Sequence, residues 1–122
     1  MPPAIMIVED DRDIRFLLAE VLQDEGYAVQ TAEHGRAALN ALIAAPRPPC
    51  LIITDLMMPV MDGWTFCRER TAIPALADVP VVVISAIANL PATMPALGVI
   101  AAFSKPLDLR ALLTIVTNHC SL

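Results

Sequence analysis

A chain of 122 residues holds about one domain's worth of core, and nothing in its composition marks a second domain. Formal charge is −5, with eight Lys and Arg that are scattered rather than clustered, which excludes the basic footprint of direct nucleic-acid binding. Hydrophobic residues make up 57% of the chain, yet no apolar run approaches the roughly 20 residues of a membrane span, so the excess belongs to a two-sided core or an apolar contact surface.

Met1-Pro2-Pro3 leads straight into an apolar run with no signal-peptide pattern, and the starting methionine suits a natural beginning. Cys50, Cys67 and Cys120 are odd in number and have no metal-ligand spacing. The expectation is a cytoplasmic protein whose cysteines are small, buried or half-buried free thiols.

In chain order, Ile5-Met6-Ile7-Val8 reads as a strand that runs into Glu9-Asp10-Asp11. Ile14, Leu17, Leu18, Val21 and Leu22 then follow the spacing of a helix with one buried face, ended by Gly26. Residues 27–31 suggest a short strand, and residues 37–45 a helix stopped by Pro46, the first of a proline-rich loop. A strand over residues 51–54 breaks at Asp55 into the loop Leu56-Met57-Met58-Pro59-Val60-Met61-Asp62, and residues 63–71 look helical. Pro80 precedes a strand over residues 81–84 that ends in Ser85, and a fifth over residues 99–103 ends in Ser104-Lys105-Pro106. Leu109, Leu112, Leu113 and Val116 stripe the last helix. Pro91 and Pro95 cannot both occupy the first turn of one helix, so the fourth helix is expected to be short, displaced or missing.

Strands dense in Val and Ile, alternating with helices, demand a parallel sheet covered on both faces. The fold class is a five-stranded, doubly wound α/β domain spanning residues 1–122. The carboxyl ends of its strands share one edge, where such folds place their ligands. That edge would gather Glu9, Asp10, Asp55, Ser85 and Lys105. Each has a plainer reading alone: the acids could cap the first helix, with Asp11 the expected cap, Asp62-Gly63 is turn and helix-start chemistry, and Lys105 could be a surface charge. His34 and His119 are read as solvent-exposed.

Together these residues carry a resemblance to the receiver domain of two-component response regulators over essentially the full chain. Glu9-Asp10 resembles the family's acidic pair, Asp55 in Asp-Leu-Met-Met-Pro-Val-Met-Asp-Gly its phosphorylated aspartate, Ser85-Ala86 its switch hydroxyl and small neighbour, and Lys105-Pro106 its lysine and cis-proline. The resemblance implies a flavodoxin-like strand order 2-1-3-4-5. It also implies Mg²⁺ held by Asp10, Asp55, the Met57 backbone carbonyl and, through water, Glu9. Lys105 and Ser85 would bind the phosphoryl group, delivered by a sensor histidine kinase or histidine phosphotransfer protein, and an unknown output protein would read the result. Such a chain catalyses its own phosphorylation and slow dephosphorylation but turns over no metabolite.

The pattern is broken in one place: the family usually has Tyr or Phe three residues before the lysine, where this chain has Ala102 and then Phe103. One residue along a strand is the opposite face, so Phe103 is expected in the core unless a bulge re-aims it. No Lys or Arg occurs from Thr71 to Ser104, which suggests an apolar output surface around residues 86–104. Met57 and Ile87 flank the acceptor where a polar group would position water, so a long-lived acyl phosphate is expected. Two alternatives stand: a receiver cut from a larger hybrid kinase or transcription regulator, and an aspartyl-phosphate phosphatase. The second is disfavoured because Asp55-Leu56-Met57 lacks its Asp-x-Asp motif.

Overall fold

A computed structural model describes residues 4–86, 95–105 and 108–120. Five parallel strands, β1 (Ala4–Val8), β2 (Ala28–Ala32), β3 (Leu51–Asp55), β4 (Val81–Ser85) and β5 (Val99–Ser104), pair in the order β2-β1-β3-β4-β5. The four α-helices among the described residues are α1 (Arg12–Asp24), α2 (Gly35–Ala44), α3 (Gly63–Thr71) and α4 (Leu109–His119). Asp11, Asp62 and Asp108 cap α1, α3 and α4 by accepting hydrogen bonds from first-turn amides. His34, read from sequence as a solvent-exposed residue, does the same for α2, its Nδ1 accepting from the Ala37 amide at 3.1 Å.

β1, β3 and β4 are buried on both faces, and this double covering is why their sequences alternate so little. Met6, Val8, Ile52, Val81 and Val83 pack toward α2 and α3 with Leu39, Leu42 and Phe66. Ile5, Ile7, Leu51, Ile53, Val82 and Ile84 pack toward α1 and α4 with Leu18, Leu22, Leu112 and Val116. Leu17, expected on the buried face of α1, is 50% exposed. The inward stripe follows the i, i+4 row Ile14-Leu18-Leu22, and Leu17 turns off it.

Between β4 and β5 the register slips: Val81 faces Val99 but Val82 faces Ala101, leaving Ile100 as an extra residue. The bulge puts Val99 on the α2–α3 side and Ala101 and Phe103 on the α1–α4 side. Phe103 is thus partly buried in the core, opposite Ile84, while Ala102 is exposed on the other face. The expected fourth helix falls largely on residues 87–94, outside the described set; after it comes one 3-10 turn, Pro95–Leu97.

Arg70 on α3 is 0% exposed. Its Nη1 donates to the carbonyls of Leu76 at 2.7 Å and Ala77 at 2.9 Å, and its Nη2 donates to that of Leu97. Burial pushes its pKa below the ordinary arginine range. Gly98 has φ +81°, and a Cβ there would lie 2.3 Å from Arg70 Nη2, so this position favours glycine twice over.

Cys50 and Cys120 are joined by a disulfide, which corrects the expectation of three free thiols. Cys50 immediately precedes β3 and Cys120 immediately follows α4. In a doubly wound sheet, strand beginnings and helix ends share the amino edge, so the topology brings these two residues together. Cys67 alone is free, and it is buried.

Candidate functional site

Each residue of the candidate site stands where a buried strand runs out into the carboxyl edge. Glu9 follows β1 and is tied into the sheet by its amide, which donates to the Ala32 carbonyl at 3.0 Å. Asp55 closes β3, Ser85 closes β4, and Lys105 follows β5, its amide donating to the Ser85 carbonyl at 3.0 Å. Glu9, Asp55 and Ser85 are 2%, 4% and 1% exposed, whereas Asp10 faces solvent.

The carboxylate of Asp55 has two unlike oxygens. Oδ1 accepts from the amides of Leu56 at 2.6 Å and Met57 at 3.2 Å, which turn it toward the loop. Oδ2 lies 2.8 Å from Lys105 Nζ. The same Nζ is 3.0 Å from Glu9 Oε1, an ion pair off hydrogen-bond alignment, so that buried oxygen accepts no hydrogen bond among the described residues. Burial pushes Glu9 up to about 7, against the downward pull of Lys105 and the Asp11 amide. Burial lowers Lys105, but its hydrogen bond to Asp55 and its ion pair with Glu9 outweigh this and leave its pKa raised.

Carboxylate oxygens of Glu9, Asp10 and Asp55 lie within 4.8 Å of one another. Acids this close, one with an unfilled buried oxygen and a poor hold on its charge, fit a hard divalent cation with oxygen ligands.

The loop that closes the site is tightly built. The Met61 amide donates to the Pro59 carbonyl at 2.7 Å, a γ-turn with Val60 at φ 67°, a strained value for a β-branched residue. Gly63 lets α3 start against the end of β3, since a Cβ there would lie 2.2 Å from the Asp55 carbonyl oxygen. The Met57 side chain is 62% exposed, while Ile87 and Pro106 lie outside the described residues. One positioning residue escaped the sequence reading: Arg15 Nη1 donates to the Glu9 carbonyl at 2.8 Å and steadies the acidic turn. Its place one turn into α1, within reach of the loop the helix follows, was the available signal.

The chain matches the family model described as response regulator receiver domain over residues 5–117. It is 41% identical over 86 residues to response regulator MprA of Mycolicibacterium vanbaalenii, covering 70% of this chain and 36% of that one. The chain thus spans about a third of the length of that relative. Among solved structures it resembles chemotaxis response regulator CheY4 of Vibrio cholerae, with TM-score 0.87, 28% identity and coverage of 97% and 98%. It also resembles response regulator TrrA of Thermotoga maritima in complex with Mg²⁺-BeF, with TM-score 0.82, 27% identity and coverage of 95% and 97%. No helix among the described residues is long and apolar enough to cross a membrane.

Proposed function

The chain belongs to the response regulator receiver family, and from that premise we propose that Asp55 accepts a phosphoryl group from the phosphohistidine of a sensor kinase or phosphotransfer protein. The observation that carries this reading is the Asp55–Lys105 contact of 2.8 Å in a buried acid cluster at the carboxyl edge. With Oδ1 held by two backbone amides, Oδ2 is the oxygen that attacks phosphorus. The O–P bond forms as the N–P bond to the donor imidazole breaks, and the imidazole leaves with the electron pair. Lys105, already beside Oδ2, exchanges its carboxylate partner for a phosphoryl oxygen, and Ser85 supplies a hydroxyl donor from the end of β4.

Asp10, Asp55 and the Met57 carbonyl would hold Mg²⁺ directly, and Glu9 through water. When bound, the ion offsets the charge of the acids and of the phosphoryl oxygens. No metabolite is turned over in this reading, and the setting is the cytoplasm. With Ala102 exposed and Phe103 on the core side, rotation of an aromatic at the usual position is not the relay. The output partner instead reads residues 86–104, so phosphorylation should change hydrogen exchange there; unchanged exchange would remove this surface from the account. Because Met57 offers no polar group to orient water, label on Asp55 should be lost slowly in buffer.

The test of the acceptor is intact mass after incubation with acetyl phosphate and Mg²⁺. One added phosphoryl group is expected, lost in Asp55→Asn and on chelation. No adduct here and none from a phosphohistidine donor would end the proposal. The coverage of MprA favours a second reading, a receiver from a longer regulator, with the same chemistry and a covalently attached output.

A further inference from the structure

The edge opposite the acid cluster carries the Cys50–Cys120 disulfide, which closes 70 residues of chain. Its two halves differ in access. Cys120 is 1% exposed, and its carbonyl accepts a hydrogen bond from the Tyr27 hydroxyl at 3.0 Å. Cys50 is half-buried and lines an open groove of about 370 Å³ with Ala28, Val29, Pro46, Pro48 and Pro49. Arg47 is the one charged residue of that lining. A disulfide with one half-buried cysteine lining a groove that also carries an arginine differs from a bridge with both halves sealed: the groove offers a thiolate an approach, and its one charge favours an anionic thiol.

We propose that Cys50–Cys120 is a thiol–disulfide exchange site, entered from this groove by a small carboxylate-bearing thiol, and that its opening releases the end of α4. The thiolate attacks Cys50 Sγ and forms a mixed disulfide as the bond to Cys120 breaks. The Cys120 sulfur leaves with the electron pair and takes a proton from solvent. A second thiol attacks the sulfur of the first, giving the small-molecule disulfide and returning Cys50 as a thiol. Two thiols are oxidised and one protein disulfide is reduced. Arg47 receives the carboxylate, and the proline and alanine walls receive the aliphatic part.

The position of the bond makes this more than loss of a staple. α4 begins at Leu109, four residues after Lys105, and its inner residues Leu112 and Val116 pack with Val82 and Ile84. The helix is thus held near the acid cluster at one end and by the disulfide at the other. Opening the bond frees the last turn, whose Cys120 amide donates to the Val116 carbonyl at 2.7 Å. This inference stands on the amino edge alone and does not depend on the acceptor chemistry.

The test uses the full chain, incubated with millimolar reduced glutathione under native conditions and followed by intact mass and peptide mapping. The expected results are a glutathione adduct on Cys50 rather than Cys120, then two new alkylatable thiols, a lower Tm and faster hydrogen exchange over residues 116–120. Oxidised glutathione should reverse these changes. Arg47→Glu should slow the reaction with glutathione severalfold but leave the rate with uncharged 2-mercaptoethanol unchanged. Cys120→Ser, which leaves Cys50 as a thiol, should form the same Cys50 adduct with oxidised glutathione, with the same dependence on Arg47. The proposal is overturned if the bond survives glutathione until the chain unfolds, if the adduct maps to Cys120, or if Arg47→Glu slows both thiols equally. It is also overturned if the chain carries three free thiols that oxidised glutathione does not close.

Discussion

Lys105 and Arg70 are both cations drawn into the interior, and their surroundings differ in kind. Lys105 sits between two carboxylates, Asp55 at 2.8 Å and Glu9 at 3.0 Å, and keeps a quarter of its side chain exposed. Arg70 is sealed, and its Nη1 and Nη2 donate to the carbonyls of Leu76, Ala77 and Leu97. A carboxylate is a partner that chemistry can modify or a metal can claim, so the bonds of Lys105 are exchangeable. Peptide carbonyls do not titrate or react. A guanidinium with several donors in a fixed plane clamps the stretch after α3 to the turn before β5. One cation is therefore placed to respond and the other to hold.

The largest effect that would break this comparison is on stability. Arg70→Met should cost roughly 3–5 kcal/mol in urea unfolding, because the carbonyls of Leu76, Ala77 and Leu97 each lose a charged donor, though that of Leu76 still accepts from the Val79 amide. Phosphorylation per folded molecule should be unchanged; a cost below about 1 kcal/mol would mean that water replaces the guanidinium freely. Lys105→Ala should do the reverse, slowing the acetyl phosphate reaction by roughly 100-fold while costing only about 1 kcal/mol of stability. Equal damage to both properties would erase the distinction. Gly98→Ala should cost roughly 1–2 kcal/mol for the left-handed backbone alone. Combined with Arg70→Met it should be less than additive, since the collision it creates is with Arg70.

The smallest effect concerns the thiol next to this clamp. Burial pushes Cys67 up to about 11, outweighing the opposing pull of Arg70 and Arg68. Thiolate forms only as pH climbs toward that value, so at pH 8 about one molecule in 1,000 carries it. Iodoacetamide should leave Cys67 unmodified in the folded chain and react once urea unfolds it; ready labelling of the native protein would show that this side of α3 opens.

How much could be read in advance divides along the same line. Lys105 was legible because it ends an apolar run, as do Glu9, Asp55 and Ser85, and parallel strands bring such ends to one edge whatever the details of packing. Arg70 was not, since an arginine in a polar-looking helix reads as solvated, and only the path of residues 72–79 and the turn at residues 95–97 bury it. Leu17 failed for a related reason, because the width of a helix's buried stripe depends on how the neighbouring layer meets it. The bulge at Ile100 placed Phe103 on the core side, in line with strand alternation from Ala102, though nothing local announced the bulge itself.

Local pattern determined the strands, the helix starts at Asp11 and Asp62, the doubly wound class and the residues of the carboxyl edge. These follow from apolar periodicity and capping, which act over a few residues. Tertiary structure decided the burial of Arg70, the capping of α2 by His34, the γ-turn at Val60 and the pairing of Cys50 with Cys120. The cap and the γ-turn are local hydrogen bonds that apolar periodicity does not register, whereas the clamp and the disulfide depend on which distant segments meet, and a cysteine carries no trace in its own neighbourhood of a partner 70 residues away.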